Sequence, residues 1–317
     1  MKVGDIDVQP VIDGRILSKQ RPTKPFPSPG SPLLDDQQGM VHPDGVVDST
    51  LGGFLVRTAG HVVLVDAGGG QRFADGYLTP KIDLSDPADP VAVSLRTHGL
   101  TGDLAQEIVA DLESSTRIEQ GQLPASLEAL GVDPADITDV IFTHLHFDHI
   151  GWASAAGAPF FPKATMRCAA ADLEYFLAGP DEELYVAALF GALTARDRLG
   201  PVLDRVETWE NDQPLLPGID VRLAAGHTPG SSVVVLSDRR ARALLLGDIV
   251  HCPLELMDDD FNLLVDHDQE LANRVRQAYA RELEGTNTFA SAAHFPGLQL
   301  GRLLPGEGTR RWSFRAA

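Results

Sequence analysis

The chain has 317 residues, 43% of them hydrophobic, and its 45 acidic and 26 basic side chains give a formal net charge of −19. This length and composition can bury a substantial core and favour one large catalytic domain over separate modules. The negative charge leaves no basic patch for a polyanion, which argues against nucleic acid and favours a neutral or cationic small-molecule substrate.

The N-terminal sequence gives an expectation about the compartment. MKVGDIDVQP lacks the basic start and the apolar run of a signal peptide, and no stretch is apolar for long enough to span a membrane. Cys168 and Cys252 are the two cysteines, too few for a disulfide framework. We therefore expect a cytoplasmic protein without a membrane partner.

Residues 1–45 are predicted to form an extended N-terminal arm. They include RPTKPFPSPGSP, whose prolines block the hydrogen bonds of a helix or a central strand. We expect the arm to wrap the domain or a partner subunit, which makes the chain a candidate homodimer. Residues 46–317 are assigned to a single catalytic domain.

From Gly52 onward the pattern changes to regular structure. GFLVRTAGHVVLVDAGGG predicts two strands joined by a turn, with a glycine cluster after Asp66. LPASLEALGV predicts a helix that ends at Gly131, and ITDVIFTH predicts a buried strand that runs into a histidine-rich loop.

The second half of the chain repeats short strands between helices. Two helices are predicted over residues 170–200, the second of them in DEELYVAALFGALTARDRLG. Strands are predicted at GIDVRL, SVVVLS, ARALLLG and TFASAA, each followed by a loop with His or Asp. A last helix is predicted to start near Asp268. Its apolar face has residues at spacings of four: Leu271, Val275, Tyr279 and Leu283.

The strongest chemical signal is FTHLHFDHIGW, directly after a predicted buried strand. His144, His146, Asp148 and His149 lie together in this segment. On a tight loop, His144 and His146 can face one cation while Asp148 and His149 face a second. Imidazole nitrogen and carboxylate oxygen are ligands that zinc and similar ions accept. The alternative is a surface loop that is rich in histidine by chance.

This segment resembles the signature loop of the metallo-β-lactamase superfamily, and later motifs agree with it. AAGHTPGSS supplies His227, LLLGDIV supplies Asp248, AAHFPG supplies His294, and Asp66-Ala67-Gly68 matches the early Asp-x-Gly of the family. The resemblance spans roughly residues 50 to 300. It implies an α/β fold, the αββα sandwich of two facing mixed β-sheets flanked by helices, to which the N-terminal extended arm is added.

The resemblance also implies a dinuclear metal centre. One ion would be held by His144, His146 and His227, the second by Asp148, His149 and His294, and Asp248 would bridge them. The two divalent ions are expected to be Zn²⁺, with Mn²⁺, Co²⁺ or Fe²⁺ as alternatives, and a hydroxide between them would be the nucleophile. Asp66 is expected to accept a hydrogen bond from a ligand histidine, with a structural role in its turn as the alternative.

Asp148, Asp248 and His251 are the candidate catalytic residues. His251 lies three residues after Asp248 and is expected at the mouth of the site. The neighbouring Cys252 resembles the thiolate ligand of some β-lactamases, but Asp248 already fills that role. Four aromatic residues are candidates for lining an apolar substrate pocket, with core packing as the alternative: Phe26, Trp152, Phe160 and Phe161.

Within the superfamily, the chain looks most like the N-acyl-homoserine lactonase and methyl parathion hydrolase group. The quorum-quenching lactonases carry tyrosine three residues after the bridging aspartate, whereas methyl parathion hydrolase-like proteins carry histidine, as in His251. We therefore expect hydrolysis of a lactone or related ester, with N-acyl-homoserine lactones as candidates and promiscuous phosphotriester cleavage. The alternatives are a thioesterase, a β-lactam hydrolase, a biosynthetic enzyme that uses the metals without hydrolysis, and a metal-binding redox or sensing protein.

Overall fold

The computed structural model describes most of the chain as four layers, helix, sheet, sheet and helix. The described residues are 1–19, 46–72, 74, 76, 78–79, 81–97, 99–178, 193–239, 241–259, 266–307 and 310–314. Within these ranges, no helix is both long and apolar enough to cross a membrane.

The first sheet comes from the N-terminal half of the chain and has the strand order β1-β2-β3-β4-β6-β9-β10, with β5 paired to β2. The pairs from β1 to β4 are antiparallel, and β4, β6, β9 and β10 run parallel. A two-stranded ribbon, β7 with β8, lies outside the sheet. The strands are β1 (Lys2–Val3), β2 (Ile6–Lys19), β3 (Val46–Thr58), β4 (His61–Val65), β5 (Arg117–Glu119), β6 (Asp139–Ile141), β7 (Ser154–Ala155), β8 (Ala158–Pro159), β9 (Thr165–Ala169) and β10 (Val206–Trp209).

The second sheet comes from the C-terminal half and follows the chain order β11-β12-β13-β14-β15-β16-β17. Only the β14–β15 pair is parallel among these described strands, and the others are antiparallel. The strands are β11 (Gln213–Leu216), β12 (Ile219–Leu223), β13 (Ser232–Asp238), β14 (Ala241–Leu245), β15 (Phe289–Ser291), β16 (Gly301–Leu304) and β17 (Arg311–Phe314).

Helices cover the outer face of each sheet. Leu123 and Leu127 of α3 pack on the first sheet, and Tyr279 and Leu283 of α8 pack on the second. The helices are α1 (Pro90–Thr97), α2 (Gly102–Ser115), α3 (Leu123–Ala129), α4 (Phe147–Ile150), α5 (Ala170–Ala178), α6 (Ala195–Leu199), α7 (Leu254–Met257) and α8 (Gln269–Leu283).

The strand sequences explain why the two sheets face each other. In β13, Val234 and Leu236 point into the core between the sheets, while Val233 and Val235 pack against the helices on the other side. Side chains alternate between the faces of a strand, so a run of consecutive apolar residues belongs to a strand that is buried on both faces. The same alternation in β4 sends Val63 to the central core. The αββα sandwich predicted from the sequence is therefore confirmed.

The N-terminal segment differs from its prediction. Residues 1–19 form β1 and the long strand β2, which pairs with β3 along most of its length. They are therefore part of the first sheet and do not form an arm. Strand β2 alternates apolar and polar residues only at its start, in Ile6–Gln9, so its sequence gives a weak strand signal. The prediction for residues 20–45, including the proline-rich stretch and Phe26, lies outside the described residues.

Strand β2 also carries a buried carboxylate at a bulge between Ile12 and Gly14. Asp13 is 0% exposed and accepts hydrogen bonds from the Gly69 N–H (2.8 Å), the Leu123 N–H (2.8 Å) and Trp152 Nε1 (2.9 Å). The pKa of Asp13 is raised, because burial outweighs these hydrogen bonds. The N-terminal strand thus anchors the glycine-rich loop that follows Asp66.

The predicted helices are found where the structure describes them, with one change of face. Helix α3 ends before Gly131, which adopts a positive φ of 68° that favours glycine. Asp268 caps α8 by accepting from the Leu271 N–H (2.9 Å). The buried face of α8 is shifted from the predicted one and includes Arg276. The first part of the second helix predicted over 170–200 lies outside the described residues, and α6 forms its end.

Candidate metal centre

Loops that follow strands of both sheets meet at one end of the sandwich. The first sheet contributes the loops after β4 and β6, and the second contributes the loops after β12, β14 and β15. The Ser232 N–H donates to the Thr143 carbonyl (2.9 Å) and so joins the two sheets at this end. The predicted site residues in these loops are Asp66, His144, His146, Asp148, His149, His227, Asp248, His251 and His294.

Part of the predicted histidine-rich loop is a short helix. His146 is the residue before α4, and Asp148 and His149 lie in the single turn of that helix. The His149 and Ile150 N–H groups bond to the His146 carbonyl (3.0 and 3.3 Å). This tight turn brings side chains two or three residues apart to the same centre.

His144, His146 and His227 form the first group of the centre. His146 Nδ1 lies 2.9 Å from His144 Nε2 and 2.9 Å from His227 Nε2. Nitrogens bound to one tetrahedral zinc ion lie roughly 3.3 Å apart, given its usual bond lengths. The three ring nitrogens therefore converge on about the volume that one ion requires.

Asp148, His149 and His294 form the second group. His294 Nε2 is 3.5 Å from Asp148 Oδ2, and His149 Nε2 is 3.7 Å from Asp148 Oδ1. All three residues are buried, and their ligand atoms lie within 4.8 Å of one another. The structure thus brings together three nitrogen or oxygen donors from each of the two predicted sets.

Asp248 lies between the two groups. Its Oδ2 atom is 3.0 Å and 3.4 Å from the Nε2 atoms of His294 and His149 in the second group. The same oxygen is 3.7 Å and 3.8 Å from the Nε2 atoms of His227 and His144 in the first group. One carboxylate oxygen therefore contacts two imidazoles from each side, which is the position of a bridge.

The protonation of these groups suits a cationic centre. Burial lowers the pKa of His144 and of His146 well below 6.5, so both rings are neutral and offer a lone pair. Burial acts to raise the pKa of Asp248, but His294 and His149 outweigh it and hold that pKa well below 3.8. His149 Nε2 and Asp248 Oδ1 are buried without a hydrogen-bond partner. Burial acts to lower the pKa of His149 and of His294 as well, but Asp248 outweighs it and raises both above 6.5. Imidazoles and ionised carboxylates are the donors of divalent metal sites, and a bound cation would take the place of the protons on these two rings, so the residue types fit a dinuclear centre.

Acceptors behind the histidines orient their rings. His294 Nδ1 donates to the Thr50 carbonyl (3.0 Å). His149 Nδ1 lies 3.1 Å from Asp66 Oδ2, an ion-pair distance without hydrogen-bond geometry. Asp66 in turn accepts from the N–H (2.8 Å) and Oγ1 (2.9 Å) of Thr143, next to His144. A histidine whose far nitrogen donates to an acceptor presents the lone pair of the other nitrogen to a metal.

His251 lies beside the centre, with its Nε2 atom 3.6 Å from Asp248 Oδ2. Its ring stacks on that of His294, with centroids 5.9 Å apart and an interplanar angle of 6°. Burial acts to lower the pKa of His251, but the Glu255 carboxylate facing it outweighs burial and raises that pKa to about 9. With His227 and Asp248, it forms a further group of potential ligands.

Asp172 is a functional candidate that the sequence reasoning missed. It is buried in α5 and accepts from the Gly230 N–H (2.6 Å), from Thr228 Oγ1 (2.9 Å) and from the backbone of Leu145. Burial raises its pKa to about 6 despite these bonds. Asp172 thus joins the loop of His227 to the segment between His144 and His146. Its sequence context, an acidic residue in the first turn of a helix, indicates only a favourable helix dipole.

Glu255, Asp266 and Arg276 were also missed. They form a buried ionic group behind His227 and His251. Their sequence spacing carries no motif, and charged residues at these positions suggest solvent-exposed turns and helix faces. Only the three-dimensional structure brings them together.

The three candidate pocket residues that the structure describes pack in the core. Trp152 and Phe161 are buried in the cluster between the first sheet and its helices, and Phe160 packs against it. Cys252 is buried and joins no group of potential ligands among the described residues. Burial raises the pKa of its thiol, which disfavours the thiolate.

Comparison with known proteins places this geometry in a wider context. The family described as the metallo-beta-lactamase superfamily matches residues 53–284. N-acyl homoserine lactonase AiiB of Agrobacterium fabrum is 29% identical over 128 residues, 40% of this chain and 45% of that protein. An N-acyl homoserine lactonase of Bacillus thuringiensis is 25% identical over 129 residues, 40% of this chain and 44% of that protein. The chain thus matches less than half the length of these curated relatives.

Solved structures share the fold over nearly the full chain. AidC, described as a dizinc quorum-quenching lactonase in complex with a product, has a TM-score of 0.71 at 18% identity and covers 100% of this chain and 97% of its own. AbOPH, described as a hydrolase in the beta lactamase superfamily, has a TM-score of 0.72 at 19% identity, with coverages of 98% and 95%. At these identities the likeness establishes a common fold.

Proposed function

The chain belongs to the metallo-β-lactamase superfamily, and on that premise we propose that it is a dinuclear metal-dependent hydrolase of a lactone or a related ester. The observation that carries the proposal is the position of Asp248 Oδ2, within 3.8 Å of four ring nitrogens from two separate groups. A single buried carboxylate between two sets of donors suits a pair of ions held close together.

The proposed ligands divide into two sets. His144, His146 and His227 form the first set and hold one ion. The second set, which holds the other ion, is the group of Asp148 with two histidines that is named below, and Asp248 lies between the two sets. Zinc is the proposed metal, since neutral imidazoles and carboxylates in a low coordination number suit it. The description of AidC as a dizinc enzyme supports this choice by analogy of fold. The second set is Asp148, His149 and His294.

The chain's own residues position and complete this centre. Bound divalent ions lower the pKa of water and polarise a carbonyl oxygen. Asp66 and the Thr50 carbonyl fix the rings of His149 and His294 from behind. His251 is proposed to donate a hydrogen bond from Nε2 to the developing negative charge of the substrate or to the leaving group, because this nitrogen faces the centre.

A lactone is the proposed substrate class for two reasons. Both curated relatives are N-acyl homoserine lactonases. The net charge of −19 disfavours polyanionic substrates but not a neutral lactone ring with an acyl chain. N-acyl-homoserine lactones, and with them a quorum-quenching role, are therefore the first candidates within the class.

His251 favours a second candidate, phosphotriester cleavage. Histidine stands at this position in the methyl parathion hydrolase-like proteins that the sequence resembles, whereas the lactonases carry tyrosine. The same hydrogen-bond donor would serve a phosphoryl oxygen, because both reactions develop negative charge on an oxygen next to the metals.

The test is turnover by zinc-loaded protein on matched panels of lactones, aryl esters, thioesters, β-lactams and phosphotriesters. We expect the highest kcat/KM on a lactone, and we expect Asp248→Asn to abolish it together with metal binding. His61→Asn is the matched control, because His61 lies at the start of β4, away from the centre, and pairs with Asp139. Full metal occupancy without turnover of any lactone or ester would contradict the proposed function.

A further inference from the structure

An arginine lies buried behind the metal centre on α8. The Arg276 side chain is 2% exposed, and its Nε donates to the Ile249 carbonyl (2.9 Å), next to Asp248. Its Nη2 donates to Asp266 Oδ2 (3.0 Å) and lies 3.6 Å from Glu255 Oε1. The two carboxylates are themselves 1% and 0% exposed. One guanidinium thus neutralises two buried carboxylates from different segments of the chain.

Each of these carboxylates contacts a different histidine. The Asp266 Oδ1 atom is 3.1 Å from His227 Nδ1, on the side of the ring that faces away from the centre. The Glu255 Oε2 atom accepts the His251 N–H (2.5 Å) and lies 3.5 Å from His251 Nδ1. Carboxylates behind a histidine fix both its tautomer and the direction of the nitrogen that faces the metal.

We propose that Arg276 is a positioning residue for two histidines of the centre, His227 and His251. It holds Asp266 against His227, a proposed ligand, and Glu255 against His251, the proposed hydrogen-bond donor. The part that concerns His251 rests on the proposed function, whereas the part that concerns His227 rests on metal binding alone.

The burial of three charges argues for positioning over simple stabilisation. Taking ion pairs out of water costs free energy that their attraction often fails to recover, so buried pairs are a poor source of stability. A guanidinium has several donors in a fixed plane and can meet the Ile249 carbonyl and two carboxylates at once. A lysine ammonium has the same charge but not this geometry, so Arg276→Lys separates charge from position.

Metal affinity is the first readout, measured by chelator competition on the zinc-loaded protein. Arg276→Lys and Asp266→Asn are each expected to weaken the binding of one of the two ions by about 10- to 100-fold. Arg167→Lys is the matched control, since Arg167 of β9 also pairs with two carboxylates, Asp139 of β6 and Glu207 of β10, and neither of them contacts a proposed ligand. Unchanged affinity in both variants, or an equal loss in the control, would overturn the proposal.

A double variant distinguishes positioning from general destabilisation. If Arg276 acts on His227 through Asp266, then Arg276→Lys should cost little further metal affinity in an Asp266→Asn background. Unfolding by urea in the presence of chelator measures stability separately. Additive losses of affinity, or losses that follow stability alone, would show that Arg276 does not act through Asp266.

A second experiment measures kinetics and uses the variant Glu255→Gln. This variant is expected to keep both ions and to lose about 10- to 100-fold in kcat with little change in KM, since His251 loses its orienting carboxylate. An unchanged kcat would overturn the link to His251. A wild-type protein without turnover would contradict the proposed function, while the metal competition would still decide the role of Arg276 toward His227.

Discussion

At the scale of single residues, the centre is defined as much by what lies behind the histidines as by the histidines themselves. His227 and His294 each form a hydrogen bond to an acceptor through the nitrogen that points away from the centre. His251 differs, because the Glu255 oxygen is 3.5 Å from its Nδ1 and binds its backbone N–H instead. This looser fixation suits a residue that donates to a substrate better than one that holds a metal.

The first residue-scale prediction concerns His251. His251→Phe should keep both ions but lower turnover by about 10²- to 10³-fold, the usual cost of one lost donor to a developing oxyanion. His251→Tyr should recover part of that loss on lactones, because its hydroxyl can replace the donor. Metal content and kcat are measured on the same preparations. Loss of metal from His251→Phe would identify His251 as a ligand or as support for one.

The second residue-scale prediction concerns Asp66, whose backbone has a φ of 60°. Asparagine tolerates this left-handed conformation, so Asp66→Asn removes the charge without adding backbone strain. We expect about 10- to 100-fold weaker binding of the ion held by His149, because Asp66 Oδ2 is 3.1 Å from its Nδ1. Competition with a chelator measures the change. Wild-type affinity would instead indicate a role limited to the turn and to Thr143.

At the scale of elements, the loops of the centre are held by carboxylates that belong to neighbouring strands and helices. Asp13 of β2 anchors the loop after β4, and Asp172 of α5 anchors the loop after β12. Both accept several backbone N–H groups that loops leave without partners. Buried loops require such acceptors, because an unpaired buried N–H is costly.

Asp172→Asn tests this anchoring. An asparagine directs an N–H₂ group at one of the donors that Asp172 accepts from, Thr228, Gly230 and Leu145. We expect a loss of about 1–3 kcal/mol in the free energy of unfolding and weaker binding of the ion held by His227. Urea unfolding and metal competition measure the two effects. A stability loss with unchanged metal affinity would restrict Asp172 to a structural role.

A pH-dependent prediction concerns the opposite end of β6. Asp139 accepts from His61, Thr138 and Arg167, and although burial raises its pKa, these contacts outweigh burial and lower it below 3.8. An acid with a lowered pKa stabilises the fold above its unfolded pKa, and this stabilisation is lost as the pH falls through the folded pKa. Asp139→Asn should therefore be less stable than wild type by about 1–3 kcal/mol at pH 7.

The difference between Asp139→Asn and wild type should shrink as the pH falls below 4. Urea unfolding of both proteins in chelator, at pH 7 and at a series of pH values from 4 down to about 2.5, measures it. A difference that stays constant across this range would mean that the ionised form of Asp139 is not the stabilising one.

The elements also show what the sequence can and cannot predict. The runs SVVVLS and ARALLLG predicted β13 and β14, because each contains several consecutive apolar residues, which suit a strand that is buried on both faces. The face of α8 was predicted only in part. Tyr279 and Leu283 are buried as expected, but Arg276 is buried with them, because its partners Glu255 and Asp266 are brought to it only by folding. The periodicity of apolar residues in a helix cannot reveal a buried charge whose ion-pair partners lie in distant parts of the sequence.

At the scale of the whole molecule, the centre joins the two sheets. The first sheet supplies His144, His146, Asp148 and His149, and the second supplies the remaining proposed ligands. The four ligands from the first sheet were easy to predict because they lie within six consecutive residues. The assignment of the others depended on the resemblance to a known family. The long strand β2 was missed, because the proline-rich stretch after it suggested an irregular segment. A homodimer and a cytoplasmic location remain predictions from the sequence.

The measurement that tests this account most directly is the metal content of the protein. Seven donor residues, three in each of two groups and Asp248 between them, should bind about two equivalents of divalent metal per chain, since one tetrahedral ion uses only four ligands. Elemental analysis of protein purified without chelator, and again after reconstitution with excess zinc, gives the number. We predict about two equivalents, and a value that stays near one after reconstitution would contradict the dinuclear centre.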